Sequence, residues 1–204
     1  MNSAMTAGTK GYEKHVSRFV QISRALDFHE VCKDFLSFLP NKKSNVLDVG
    51  SGAGQNAVAL DKIGFNVTAI EPLQEFVDIS KAHYKNTSVN WLKGSLPDMD
   101  CLKNSNCSYD FVLIDGVWHH LNQAEREEAA KKLSNIINRR GKCAVSLRNG
   151  PAGMGSLTYP IDLDGTITLF ERYNFRCIFS IKNQNSILPN KEQVKWARIV
   201  LEKY

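Results

Sequence analysis

Chemistry concentrates in two places in this 204-residue chain: the run Asp48-Val49-Gly50-Ser51-Gly52-Ala53-Gly54-Gln55, and Glu71, which closes Val67-Thr68-Ala69-Ile70-Glu71. Closely spaced glycines let backbone approach a ligand. Here they stand between two carboxylates, a pairing that suits a cation-bearing ligand better than a phosphorylated one. A dinucleotide turn reads G-x-G-x-x-G/A and seats pyrophosphate on the following helix N-terminus. Gln55 takes the place of its third glycine. Asp48 would also set a negative charge near a diphosphate, which is unfavourable. The phosphate-cradling pattern G-x-x-x-x-G-K-[ST] is absent, so ATP or GTP hydrolysis loses ground.

A second group of candidates follows the later apolar runs. Ile114-Asp115-Gly116-Val117-Trp118-His119-His120-Leu121 joins a carboxylate to an indole and two imidazoles. A neutral imidazole at His119 could take a proton near pH 7, with His120 as readily a helix-capping or packing residue. Trp118 could wall a cation with its indole face, and core packing competes equally. Arg148 could hold an acceptor carboxylate or phosphate in a fork, against a structural ion pair with Asp115 or Glu171.

These residues need elements to place them. Val16, Phe19, Val20, Ile22, Leu26, Val31, Phe35, Leu36 and Phe38 recur at mixed three- and four-residue intervals, which predicts one or two helices ending at Pro40. Beyond them the chain alternates: strand Asn45 to Gly50, helix Gln55 to Ile63, strand Asn66 to Ile70, helix Leu73 to Tyr84 and strand Ser88 to Lys93. Strand Tyr109 to Asp115, helix Gln123 to Asn138 and strand Lys142 to Leu147 continue it. Such βαβ repetition predicts a doubly wound parallel α/β sheet, whose ligand crevice lies at the carboxyl ends of the strands. Phe175 to Lys182 and Val194 to Lys203 break the pattern, because the link between them is too short for a crossover helix and permits antiparallel pairing. The expected division is a disordered or tag-like start over 1–9, N-terminal helices over 10–40 and one domain over 41–204. Tyr12, Phe19, Phe28 and His29 are the candidates for a lid.

Composition narrows the classes. A net charge of +5 comes from scattered lysines and is no nucleic-acid footprint. Cys32, Cys101, Cys107, Cys143 and Cys177 are dispersed without C-x-x-C, which argues for reduced thiols, a cytoplasmic protein and no zinc or other metal site. No apolar run reaches membrane-spanning length and no leader pattern opens the chain.

Asp48-Val49-Gly50-Ser51-Gly52-Ala53-Gly54 resembles the first motif of class I S-adenosylmethionine-dependent methyltransferases, an acid-x-Gly-x-Gly-x-Gly turn after the first strand. The resemblance runs from about Asn45 to the C-terminus. Val117-Trp118-His119-His120-Leu121, Glu125-Arg126 and Ser146-Leu147-Arg148-Asn149-Gly150-Pro151 are similar to a largely uncharacterised bacterial group reading V-W-x-H-L, E-R and S-L-R-x-G-P. It implies a Rossmann-like sheet of order 3-2-1-4-5-7-6 with strand 7 antiparallel. It further implies a site for S-adenosylmethionine, released as S-adenosylhomocysteine. Asp48, Gly50, Ser51, Gly52, Gly54, Gln55 and Asn56 would form one side. Glu71 would hold the ribose beside Pro72, with Asp115 and Gly116 past the fourth strand. The family commonly carries an acid for the adenine amino group after the third strand. Gly94-Ser95 departs from that, leaving the Ser95 hydroxyl and the Leu96 backbone.

The implied activity is transfer of a methyl group to a small-molecule oxygen, nitrogen or sulfur acceptor by in-line displacement, with His119, Trp118 and Arg148 on the acceptor side. The expected assembly is a monomer or homodimer. The alternatives are a non-catalytic regulatory protein that binds the same cofactor, a methyltransferase of RNA or protein, and an NAD(P)-linked oxidoreductase. Cytosine-C5 methylation lacks its Pro-Cys pair.

Overall fold

The computed structural model describes residues 7–103 and 107–204. Its centre is one seven-stranded sheet: β1 (Asn45–Val49), β2 (Asn66–Glu71), β3 (Asn90–Lys93), β4 (Tyr109–Ile114), β5 (Ile137–Asn149), β6 (Phe175–Asn185) and β7 (Lys195–Lys203), in the order β3-β2-β1-β4-β5-β7-β6. β1 pairs parallel with β2 and β4, and β5 parallel with β4. β7 is inserted antiparallel between β5 and β6, as its short link to β6 requires.

Strand periodicity builds a core on each face. Leu47 and Val49 of β1, with Val112 and Ile114 of β4 and Cys143, Val145 and Leu147 of β5, face α5 (Gln123–Ile136) and α6 (Leu163–Glu171). Their alternates Val46, Phe111, Leu113 and Ala144 meet the opposite core, which takes in α3 (Gln55–Ile63) and Val77 of α4 (Gln74–His83). Both faces are therefore covered, which is why these strands read as near-continuous apolar runs.

The N-terminal segment is more broken than a pair of helices. It consists of 3-10 turns at Ala7–Thr9 and Tyr12–Lys14, α1 (Val16–Arg24), α2 (Phe28–Val31) and a 3-10 stretch Lys33–Phe38. The Asp27 carboxylate caps α2, accepting from the His29 and Glu30 N–H groups. Of the start expected to be frayed, residues 1–6 lie outside the described residues. Ala7–Thr9 is instead a formed turn, with Gly8 so close to the His120 backbone that a Cβ there would lie 2.2 Å from its carbonyl oxygen.

Two further elements differ from expectation. β5 runs from Ile137 to Asn149, because Ile137 pairs with Tyr109 ahead of a register shift that then pairs Lys142 with Phe111. α6 was not anticipated. The Asp162 side chain caps it through the Asp164 and Gly165 N–H groups, and Leu163, Leu169 and Phe170 are buried.

Candidate active site

The β1–α3 turn forms the floor of a cavity of about 480 Å³ at the carboxyl ends of the strands, a size in the range of small-molecule sites. Gly50 and Gly52 adopt positive φ of 70° and 52°. A Cβ on Gly50 would strike Val117 Cγ2 at 2.4 Å, and one on Gly52 would meet the Phe19 ring at 2.8 Å, so both positions need glycine for conformation and for space. Gly54 and Asp48 do not reach the cavity surface. Gly54 is packed under Trp91 and Ser80, while Asp48 is buried at the end of β1 behind the wall.

Three carboxylates converge here. Glu71 accepts from the Gly52 N–H through Oε2 (2.9 Å) and from the Leu73 N–H through Oε1 (3.0 Å), which ties the end of β2 to the glycine turn. Asp115 accepts from Ser146 Oγ (2.7 Å) and from Asn56 Nδ2 (3.3 Å), and Ser146 Oγ in turn accepts from the Gly116 N–H. Among the described residues none of the three acids ion-pairs with a lysine or arginine. Burial, then repulsion from Asp115 and Glu71, pushes the Asp48 carboxyl up to about 8. Burial pushes Glu71 up to about 7, against the pull of its two backbone donors.

Asp48 Oδ2, Gln55 Oε1 and Asn56 Oδ1 are buried acceptor oxygens without a hydrogen-bond partner. Uncompensated negative charge and orphaned acceptors on one turn call for a ligand that is cationic and rich in N–H or O–H donors. Gln55, Asn56, Ser51 and Pro72 line the same cavity, as do Ser95, Leu96 and Gly116. The missing acid after β3 has a steric reason: a Cβ on Gly94 would lie 2.2 Å from Cys101 Sγ. Any side chain at residue 94 has to displace that thiol.

The 3-10 turn Trp118–His120 separates the roles given to its residues. Trp118 does not wall the site. It is fully buried in the core with its ring 5.2 Å from that of Phe170, so packing accounts for it. His119 lines the cavity, its Nδ1 buried and without a partner. Burial, then the charges of its neighbours His120, Arg148 and Arg126, holds its pKa well below the ordinary value, so the ring is neutral. His120 shares a hydrogen bond of 3.2 Å between Nε2 and the Tyr12 hydroxyl, and its Nδ1 lies 3.4 Å from the Leu157 carbonyl oxygen. The carbonyl can only accept, so Nδ1 carries the proton and Nε2 accepts from Tyr12. Neither histidine caps α5. Asn122 does, in a reciprocal capping box with Glu125.

Arg126, the second residue of the E-R pair, donates to the carbonyls of Trp118, Pro160 and Tyr159 and so fixes the turn that carries His119. Asn149 binds Ile161 through both its N–H and its carbonyl. The bacterial-group residues are thus largely scaffolding around one turn. Arg148 lines the cavity and makes neither of the ion pairs weighed for it; it donates to the carbonyls of Pro151 (2.6 Å) and Gly150 (3.5 Å).

The N-terminal segment contributes Tyr12 and Phe19 to the cavity lining, their rings 5.5 Å apart, and Phe19 lies 4.9 Å from Phe76. Phe28 belongs to the core with Cys32 and Phe35, and His29 is exposed, so neither serves as lid. Sequence reasoning missed Trp196 and Arg198 of β7 and Lys191 before it, all of which line the cavity. Only the register that sets Trp196 opposite Arg148 brings them there.

Among the described residues no group of three or more His, Cys, Asp or Glu side chains is arranged to hold a metal ion, and no helix is long and apolar enough to cross a membrane.

Residues 47–145 match the family model described as a methyltransferase domain. A ubiquinone biosynthesis O-methyltransferase of Rickettsia bellii is 33% identical over 96 residues, a segment covering 46% of this chain and 36% of that protein. The chain therefore spans about a third of the length of that relative. A TehB-like SAM-dependent methyltransferase from Corynebacterium glutamicum superposes with a TM-score of 0.69 at 20% identity, covering 94% of this chain and all of that one. The 1,6-didemethyltoxoflavin-N1-methyltransferase of Burkholderia thailandensis, solved with 1,6-didemethyltoxoflavin and S-adenosylhomocysteine, superposes with a TM-score of 0.71 at 13% identity over 94% of this chain and 85% of that one. These two share the fold.

Proposed function

We propose that this chain binds S-adenosylmethionine and transfers its methyl group to a small-molecule oxygen, nitrogen or sulfur acceptor, a reading supported by the match of residues 47–145 to the methyltransferase-domain model. The observation that carries the reading is the cluster of buried Asp48 and Glu71 with half-buried Asp115, gathered around one turn without a cationic partner among the described residues and beside orphaned oxygens of Gln55 and Asn56. When bound, the cofactor supplies a methyl group already made electrophilic by its sulfonium.

The chain's own residues then have two tasks, holding and excluding. Glu71 offers its carboxylate to ribose hydroxyls, and the N–H groups and acceptor oxygens of the glycine turn receive the amino-acid end. Ser95 and the Leu96 backbone border the base. Asp115 keeps its orientation through Ser146 and Asn56. Tyr12 and Phe19 close the cavity over these groups and exclude water. Positioning of this kind contributes roughly 7–11 kcal/mol when two reactants are held in line. His119, whose ring is neutral and lines the cavity, is the group that would take the proton an acceptor loses.

A dinucleotide ligand is disfavoured by the same acids. A purely regulatory role is disfavoured by the polar groups His119, Tyr12 and Arg148 on the acceptor side. Free thiols at all five cysteines accord with a cytoplasmic setting. Titration calorimetry with S-adenosylmethionine, S-adenosylhomocysteine and NAD tests the cofactor, and transfer of labelled methyl into fractionated small-molecule extract tests turnover. Binding of both methionine nucleosides without NAD is expected; NAD binding with no response to either nucleoside overturns the reading.

A further inference from the structure

Charge in the cavity is divided along the sheet. The acids that line it, Glu71 and Asp115, stand at the carboxyl ends of β2 and β4, with Asp48 behind the wall at the end of β1, all on one side of the β4–β5 boundary. On the other side the lining residues are cationic: Arg148 ends β5, Arg198 lies on β7 and Lys191 precedes it. Arg198 has a counter-charge in Asp34, 3.6 Å away. Arg148 has none among the described residues, although it is only 9% exposed.

A cation drawn partly out of water without a counter-ion is destabilised by the hydration it loses. Two of the Arg148 donors go to the Gly150 and Pro151 carbonyls, which are neutral. Among the described residues its Nε–H and the second hydrogens of Nη1 and Nη2 meet no acceptor, in a side chain that lines the cavity. The groups beside it, Tyr12, His119 and His120, supply no negative charge. The cavity lining also has an apolar part, with Trp196 paired across from Arg148 and with Leu188, Met154 and the half-exposed Ile187 among its residues.

We infer that the methyl acceptor is a small organic acid, its carboxylate received by the Arg148 fork and its apolar or aromatic body lying against Trp196 and Ile187. The inference rests on the methyl-transfer reading and narrows it to a substrate class. The carboxylate is the anchor, and a second atom is methylated. The acceptor's oxygen, nitrogen or sulfur lone pair forms the new bond to the methyl carbon, the electrons of the broken C–S bond stay on sulfur, and the acceptor's proton passes to the His119 imidazole. Burial is the main reason His119 holds a proton poorly, and an anion on Arg148 would offset only the smaller part that the Arg148 charge adds.

The test uses the full chain saturated with S-adenosylhomocysteine. Calorimetry compares benzoate, 3,4-dihydroxybenzoate and 4-hydroxyphenylacetate with their neutral amides. At least one acid should bind tenfold or more tightly than its amide. Arg148→Gln should reduce that preference to within twofold while S-adenosylhomocysteine binds within twofold of the unsubstituted chain, and Arg148→Lys should keep part of it. Equal or absent binding of acids and amides in the unsubstituted chain overturns the inference, as does a preference that survives Arg148→Gln. Failure to bind S-adenosylhomocysteine overturns the methyl-transfer reading and this inference with it, whereas its binding without acid preference overturns this inference alone.

Discussion

Lowering the pH from 8 to 6 should weaken S-adenosylmethionine binding about tenfold. Burial holds the free Glu71 carboxyl at about 7, while a ligand that bonds its anion returns it toward the ordinary carboxylate range. If only the ionised fraction binds, that fraction is about nine-tenths at pH 8 and about one-tenth at pH 6, which sets the factor. Asp48, pushed up to about 8, acts in the same direction. The ligand-free protein should behave oppositely. A carboxyl raised above its unfolded value penalises its own ionisation, so for Glu71 stability is full below pH 4.5 and is lost as pH rises to about 7, at about 1.4 kcal/mol per pH unit. Calorimetric titrations at pH 6, 7 and 8, with thermal melts of the free protein across the window from pH 4.5 to about 7, measure both slopes. Glu71→Gln is the control, because the ligand's own titration is common to both proteins. It should flatten the binding slope and weaken binding at pH 8 by about 10- to 100-fold, the worth of a hydrogen bond to a charged group. An affinity unchanged within twofold from pH 6 to 8, or a Glu71→Gln protein that binds as tightly as the parent at pH 8, would refute the reasoning.

Trp118→Ala should cost about 3–5 kcal/mol of stability by opening a cavity against Phe170, seen as a lowered denaturant midpoint, while Trp118→Phe should restore most of it; a neutral Trp118→Ala contradicts the core assignment. His119→Ala should lower kcat by roughly 10²-fold, the lower end of the range for a general base, because this imidazole holds a proton poorly, and S-adenosylhomocysteine affinity should stay within twofold. Gly94→Asp should destabilise the protein through its clash with Cys101, and Cys101→Gly in that background should recover stability, as thermal melts would report.

The floor of the site was readable because its signals are local. A glycine turn, the acid before it and the acid ending the next strand fix one another within a single β-turn-α-β unit, and Gln55–Ile63 matches its expected bounds. The parallel sheet followed from the βαβ alternation and the antiparallel last pair from the short final link, while the strand order came from the family resemblance. What was less legible depends on contacts distant in sequence. Whether Trp118 faces the cavity or the core is set by Phe170 of α6, a helix signalled only by Asp162 ahead of Leu163, Ile167 and Phe170. The bonding of Arg148 depends on carbonyls in the loop it begins, and Trp196 and Arg198 enter through an antiparallel register about fifty residues away in the chain. The E-R pair carried a visible pattern whose meaning, a capping box and a clamp on the histidine turn, appears only once Tyr159 and Pro160 lie alongside.

The most direct test of the account is a structure with S-adenosylhomocysteine bound. The account places both ribose hydroxyls within hydrogen-bonding distance of the Glu71 carboxylate, the amino-acid end on the Gly50–Gly52 turn and the sulfur facing the side of the cavity that holds His119 and Arg148. A ribose bound away from Glu71, or a nucleoside seated outside this cavity, would contradict it.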